Sequence, residues 1–185
     1  MIIVPRHCPS CGKRLRKGRV HPSDAPRLNC ANCGFIHYDN PVPCAGVVVS
    51  DGARVLLGRR RNPPYRGMWN LLGGFIEGGE HPEVAARREV SEEAGIEVQL
   101  VRLLGIWMDR YGRTPERTLN LIYEGVIIGG TPRAGDDVAA LRWFAHDALP
   151  LDRLAFENGR EALLAWRSAT TDLKMEYGEK GPPSA

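Results

Sequence analysis

The chain has 185 residues, 43% apolar and 25% charged, with a formal net charge of +3. These values exclude a disordered, collagen-like or fibrous chain, and the length suits one domain plus an appendage. No apolar run approaches the roughly 20 residues of a membrane-crossing helix, and the apolar start, Met1 to Val4, is too short for a signal peptide, so a cytoplasmic protein without a membrane partner is expected.

Charge and cysteine are both unevenly spread. Residues 1–36 hold seven Lys or Arg against one acid, Asp24, whereas residues 37–185 hold 18 basic and 21 acidic groups. Four of the five cysteines precede residue 34. They stand as Cys8-Pro-Ser-Cys11-Gly and Cys30-Ala-Asn-Cys33-Gly, eighteen residues apart between Cys11 and Cys30. That is the spacing of a zinc ribbon. Gly12 and Gly34 allow positive φ at each knuckle. So small a segment cannot bury a sufficient core, and a structural Zn²⁺ on Cys8, Cys11, Cys30 and Cys33 would replace one. Two disulfides are the alternative reading of the same residues. Cys44 reads as a small buried hydrophobe.

Tyr38-Asp-Asn-Pro-Val-Pro43 reads as an extended linker, because proline fixes φ. The expected division is a ribbon over 1–37, a main domain over 38–170 and a mobile tail over 171–185. Cys44–Ser50 and Ala53–Leu57 are strand-like runs around Asp51-Gly52, which predicts a hairpin with a type I′ turn. Arg59–Arg66 is a basic, Pro-containing loop, and Arg59 and Arg60 are candidate substrate-binding cations. Trp69–Ile76 leads into a Gly-rich turn. Pro82–Ala94 is a predicted helix, with Pro82 in its first turn and Gly95 just past its end. Strands are expected over Ile96–Trp107, Leu119–Ile128 and Ala139–Phe144, and an amphipathic helix over Glu157–Ala169. Strands outnumber helices, which predicts a mixed α/β sandwich.

The predicted helix carries the chemistry. Glu89 and Glu93 lie one turn apart on one face, flanked by Glu92, beside an apolar stripe of Ala86, Val90 and Ala94. Like charges at that spacing repel, and Glu92 and Glu93 sit at the negative end of the helix dipole. Arg88 offsets part of this, and a hard divalent cation would offset more. A solvated acidic face is the alternative, but the preceding Gly-rich turn permits close backbone approach and can offer a carbonyl to a metal.

Gly74-x5-Glu80-x7-Arg88-Glu89-Val90-x-Glu92-Glu93-x-Gly95-Ile96 matches the Nudix box at every fixed position. The resemblance covers residues 40–167, and with the ribbon included the chain is similar to the zinc-ribbon Nudix hydrolases. It implies an α/β/α sandwich with a mixed sheet, preceded by the four-Cys zinc ribbon. It also implies water attack on the diphosphate of a nucleoside diphosphate linked to another moiety, such as ADP-ribose, FAD or a related dinucleotide or nucleotide sugar. Carried onto matching positions, Glu89 and Glu93 become the main Mg²⁺ or Mn²⁺ ligands and Glu92 an auxiliary one. Gly73 adds its carbonyl. Glu89, or the metal itself, activates water, and Arg88 orients Glu89 or pairs with Glu80. Dimers are common among relatives, so a homodimer is an expectation too.

Departures from the family pattern are also visible. Many relatives have Pro at the position of Leu72 and Glu at that of Ala140, leaving Asp136 and Asp137 as candidate downstream carboxylates. The Ser-Gln-Pro-Trp-Pro-Phe-Pro signature of the NADH pyrophosphatases is absent from residues 97–125. NADH hydrolysis is therefore an alternative rather than the first expectation. A hydrolase of oxidised nucleoside triphosphates is another. A third alternative is a nucleic-acid-binding module, suggested by the basic ribbon. It is disfavoured by the intact box glutamates and the lack of interleaved aromatics, so nucleic acid is not an expected partner.

Overall fold

The computed structural model describes residues 4–135 and 137–177. The chain forms two compact units, Met1–Pro41 and Val42–Ala185. The first holds three short antiparallel strands, β1 (Arg16–Gly18), β2 (Arg27–Asn29) and β3 (Ile36–His37), in that order. Their apolar centre is minimal: Cys8, Leu15 and Cys30 are buried, with Cys11, Leu28 and Phe35 packed against them.

The second unit is built on β4 (Val42–Ser50), β5 (Arg54–Arg60), β6 (Trp69–Asn70), β7 (Leu72–Phe75), β8 (Ile96–Arg110), β9 (Arg117–Gly130) and β10 (Val138–Ala145). These form one mixed sheet, β10-β5-β4-β9-β8, with β6 added to β5 and β7 to β4. The β4–β9 pair is parallel and the others are antiparallel. Two helices, α1 (Pro82–Ala94) and α2 (Glu157–Tyr177), complete the unit, with a short 3-10 turn at Leu151–Arg153. Among the described residues, no helix is long and apolar enough to cross a membrane.

Strand alternation assigns the two cores. On β4, Val47 and Val49 join the cluster of Ala86, Val90 and Ala94 from α1. Val48 points the other way, into the cluster of Leu163 and Trp166 from α2. On β5, Leu56 faces α1, and Val55 and Leu57 face α2. Period-two side chains on a sheet covered by a helix on each face give the α/β/α sandwich. Trp166 is fully buried, and its indole N–H donates to Glu124 Oε1 at 3.1 Å, so the ring enters the core with its polar atom satisfied.

Several details depart from expectation. A type I′ turn needs positive φ at two consecutive residues, but at the β4–β5 hairpin only Gly52 has it (88°). The Asp51 carboxylate closes this turn instead, accepting the backbone amides of Ala53 and Arg54 and the Arg54 guanidinium. Strands β8 and β9 run past their expected ends to Arg110 and Arg117, because each supplies the other with ladder partners to the tip of their hairpin. Helix α2 continues past Ala169 to Tyr177, and the rest of the expected tail, 178–185, lies outside the described residues.

Candidate functional site

Helix α1 begins where the sequence marks it. His81 Nδ1 accepts the Glu83 amide at 3.3 Å, Pro82 follows, and Gly95 closes the helix with φ 64°. Its inner stripe, Ala85, Ala86, Val90 and Ala94, is wholly buried. Glu89 and Glu93 lie on the edge next to that stripe and enter a cavity of about 410 Å³, walled also by β4, β7 and the segment before β10.

Two glycines make this close approach possible. The Gly73 amide donates to Glu93 Oε2 at 2.9 Å. Gly73 has φ 154°, and a Cβ there would collide with Ala45 O and Gly46 Cα. A Cβ on Gly74 would stand 2.6 Å from the Glu89 carboxyl group. The Gly-Gly step thus lets β7 lie between β4 and the two glutamates.

Arg88 organises the turn before the helix. Its Nε and Nη2 donate to the two Glu80 carboxylate oxygens at 2.9 Å each, a fork-to-fork pair. Its Nη1 donates to Glu89 Oε1 at 2.7 Å and Glu92 Oε2 at 3.2 Å, and Nη2 also reaches Phe75 O. Arg88 therefore both pairs with Glu80 and holds Glu89. Glu80 is held below the usual carboxylate range by that guanidinium. Burial pushes Glu89 upward, against the pull of Arg88. Burial raises Glu93 further, to about 7, opposed by the Gly73 amide and reinforced by Glu89. Two raised carboxylates at one cavity wall fit a site that gains from a divalent cation. Glu92 is 61% exposed and turned onto Arg88. Among the described residues, no three box carboxylates draw their oxygens into one tight cluster.

The segment after β9 brings another acid to the cavity. Arg133 and Gly135 donate their amides to Ala94 O and Glu93 O, at 2.8 and 2.9 Å, satisfying orphan carbonyls at the end of α1. Asp137 then lines the cavity, its Oδ1 accepting from Asn62 Nδ2 at 2.7 Å. Asp136 lies outside the described residues. Arg60 lines the cavity too, with Nε bonded to Pro64 O and its guanidinium 5.2 Å from the Phe156 ring centre. Arg59 is exposed and is not part of that lining, since neighbouring residues of a strand point to opposite faces.

An aromatic wall also emerges. Phe75, Tyr111 and Phe156 all line the cavity, with Tyr111 5.5 Å from Phe75 and stacked 5.9 Å from Phe156. The sequence does not single out these three as one surface, because Phe75 and Phe156 stand 81 positions apart and meet Tyr111 only through the fold. Trp69 is buried against Phe144, and Trp107 packs on the α2-side core. Cys44 is half-buried and lines the cavity rather than lying sealed in the core. Burial and then Glu89 push its thiol up to about 12, so it stays protonated.

In the N-terminal unit, the Cys8, Cys11, Cys30 and Cys33 sulfurs lie within 4.8 Å of one another and form no disulfide. The two knuckles repeat one geometry: Gly12 N donates to Cys8 O and Gly34 N to Cys30 O, with φ of 70° and 75°. The Cys30 thiol is lowered to about 7, first by the Cys33 amide. Four converging thiols, joined by no fifth donor among the described residues, fit a closed tetrahedral zinc site.

Two family models match: one described as NUDIX domain over residues 40–167, the other as Nudix N-terminal over residues 6–39. An ADP-ribose pyrophosphatase of Methanocaldococcus jannaschii is 31% identical over 147 residues, covering 80% of this chain and 82% of that protein. The NAD-capped RNA hydrolase NudC of Vibrio vulnificus is 32% identical over 152 residues, 81% of this chain but 54% of the relative. The chain thus spans about half the length of that relative. The crystal structure of a NUDIX hydrolase from Nitrosomonas europaea aligns with a TM-score of 0.74 at 27% identity, over 97% of this chain and 96% of that one. With the box on a cavity-lining helix, the glycine step beneath it and the four-thiol knuckles ahead of it, the chain belongs to the Nudix hydrolase family and carries that family's N-terminal zinc ribbon.

Proposed function

We propose that this protein is a divalent-metal-dependent hydrolase that cleaves the diphosphate of a nucleoside diphosphate joined to another moiety, with ADP-ribose, FAD or a similar dinucleotide or nucleotide sugar as substrate. The observation that carries this reading is the joint entry of Glu89 and Glu93 into a cavity whose other walls hold Arg60 and an aromatic surface. Its volume of about 410 Å³ is in the range of small-molecule sites. The relative named ADP-ribose pyrophosphatase, most of whose length this chain spans, supports the same class.

Each residue then has a task. Glu89 and Glu93 would hold Mg²⁺ or Mn²⁺, with Glu92 and the Gly73 carbonyl as further ligands. When bound, the cation neutralises the diphosphate and lowers the pKa of the attacking water. Glu89 would accept the attacking water's proton, and Arg88 keeps its carboxylate in place. Arg60 faces the phosphates, while Tyr111 and Phe156 offer a surface to a ring. In the ribbon, Zn²⁺ on the four cysteines has a structural role. Cysteines committed to zinc rather than to disulfides suit a reducing compartment, in keeping with a cytoplasmic location.

NADH hydrolysis is the second reading, favoured by a human relative named NAD(P)H pyrophosphatase, 32% identical over 121 residues. One panel separates the possibilities: ADP-ribose, NADH, FAD and 8-oxo-dGTP, each with Mg²⁺ and with Mn²⁺, and products identified. Two monophosphate-bearing halves are expected. Pyrophosphate release from 8-oxo-dGTP alone would replace this reading with that of a triphosphate hydrolase.

A further inference from the structure

Two polar side chains of β9, Thr118 and Asn120, line the candidate active-site cavity although they are only 4% and 8% exposed. The Asn120 side-chain amide donates to Trp107 O at 3.1 Å and to Thr118 Oγ1 at 3.0 Å. A backbone carbonyl only accepts, so the bond to Trp107 fixes which end of the Asn120 side chain is nitrogen. Both amide protons are spent on these bonds, and Oδ1 takes no hydrogen bond among the described residues. Among those residues no side-chain polar atom is sealed from solvent without a partner, so Oδ1 opens onto the cavity that Asn120 lines. Thr118 Oγ1 accepts from Asn120, which leaves its own proton to donate. The wall therefore offers one fixed acceptor beside one donor.

Sheet register places this pair. Cys44 lies opposite Phe75 of β7 and opposite Asn120 of β9, so the three form one row on one face of the sheet. Gly46 lies opposite Gly73, whose amide holds Glu93, in the next row of that face. Asn120 and Thr118 therefore stand two and four residues from the glutamate end, about 7 and 13 Å along the strand. A diphosphate held at the glutamates covers that distance through one ribose. Two strand spacings, about 10 Å, separate Phe75 from Asn120, which leaves room for a flat ring with its edge toward Asn120 and Thr118. We propose that Asn120 and Thr118 set substrate specificity by reading a ring edge that carries an amino group beside an acceptor atom. Asn120 Oδ1 accepts from the amino group, and the Thr118 hydroxyl donates to the acceptor. This rests on the diphosphatase reading above. Two sources share the chemistry: the amino group and adjoining ring nitrogen of adenine, or the carboxamide of nicotinamide.

The test compares substrates that differ in that amino group alone: ADP-ribose with its 6-deamino analogue, and NADH with its reduced 3-acetylpyridine analogue. In one pair, the wild type is expected to lose kcat/KM on the order of tenfold for the member without the amino group, because a buried acceptor is left unpaired. That ratio should fall to near unity in Asn120→Ala. Thr118→Val keeps the shape and removes the donor, so it should raise KM several-fold for both members of the same pair. A loss in the ADP-ribose pair assigns the adenine edge, and a loss in the NADH pair assigns the carboxamide. Equal rates within both pairs in the wild type, a ratio that survives in folded Asn120→Ala, or an unchanged KM in Thr118→Val overturns the assignment and leaves the diphosphatase reading standing. If no substrate is hydrolysed, the diphosphatase reading falls. Calorimetry then decides the pair, with AMP against its 6-deamino analogue and nicotinamide mononucleotide against its 3-acetylpyridine analogue. Weaker binding of one amino-free member supports the assignment, and equal binding within both pairs overturns it.

Discussion

Asn62 donates its side-chain amide to the Asp137 carboxylate at 2.7 Å, joining the loop after β5 to the segment before β10 at the mouth of the cavity. Two further bonds strengthen the tie, from Arg61 N to Asp137 O at 2.9 Å and from Arg61 Nη2 to Val138 O at 3.0 Å. Asp137 is thus held as a structural acceptor. Asp137→Asn keeps an acceptor oxygen, so its kcat should stay within about twofold of wild type. Asp137→Ala should raise KM several-fold, since Arg60 sits at the root of the loop that is released. A large loss of kcat in Asp137→Asn would instead make this carboxylate a proton acceptor.

Glu93 is expected to be indispensable to turnover. Glu93→Gln keeps an oxygen for the Gly73 amide, so the fold should survive, while the charge that holds the cation is gone. Turnover should drop by a factor on the order of 10² or more, with an unchanged circular dichroism spectrum. Full activity in the folded variant would remove Glu93 from the metal site.

The same residue predicts a pH signature in metal-free protein. Burial raises Glu93 to about 7 in the folded chain, above its ordinary value of 4.5. The folded state therefore prefers the protonated acid. Its contribution to stability is fully present below about pH 4.5 and is lost as pH rises through about 7. At pH 8, without metal, Glu93→Gln should be more stable than wild type by on the order of 1–3 kcal/mol. Urea unfolding measures this, and the gap should shrink at pH 5. Saturating Mg²⁺ should favour wild type, because binding stabilises the form that binds. No gap at pH 8 would mean that Glu93 is solvated well enough to ionise normally.

The ribbon should contain one tightly held zinc per chain. Metal analysis of protein purified without added metal should return about one equivalent, and Cys30→Ser should lower it sharply. A strong chelator should abolish amide protection across β1, β2 and β3, since the unit has little other core. Protection that persists after complete zinc removal would assign the fold of this unit to packing alone.

Legibility from sequence follows how local each signal is. Helix α1 is legible in the sequence from Pro82 to Ala94 because its start and stop rest on Pro82, Gly95 and a stripe repeating within a few residues. The same holds for the cysteine knuckles, each closed within five residues. Glu89 and Glu93 as a pair followed from helical periodicity alone. The end of α2, the β4–β5 turn and the tips of β8 and β9 depended on partners far along the chain, and there local reading fell short. Arg59 and Arg60 look equivalent in sequence, yet the pleat of β5 sends only Arg60 into the cavity.

By itself, then, the sequence determined the metal-binding chemistry on offer: four thiols in two knuckles, and glutamates one helical turn apart beside Arg88. Those depend on short-range geometry, which spacing specifies. The tertiary structure alone decided what surrounds that chemistry. It drew Gly73 and Gly74 under the glutamates and brought Phe75, Tyr111 and Phe156 into one wall. The glycine–glutamate and aromatic meetings join residues 15 or more positions apart, which only sheet register and helix packing bring within reach of one another.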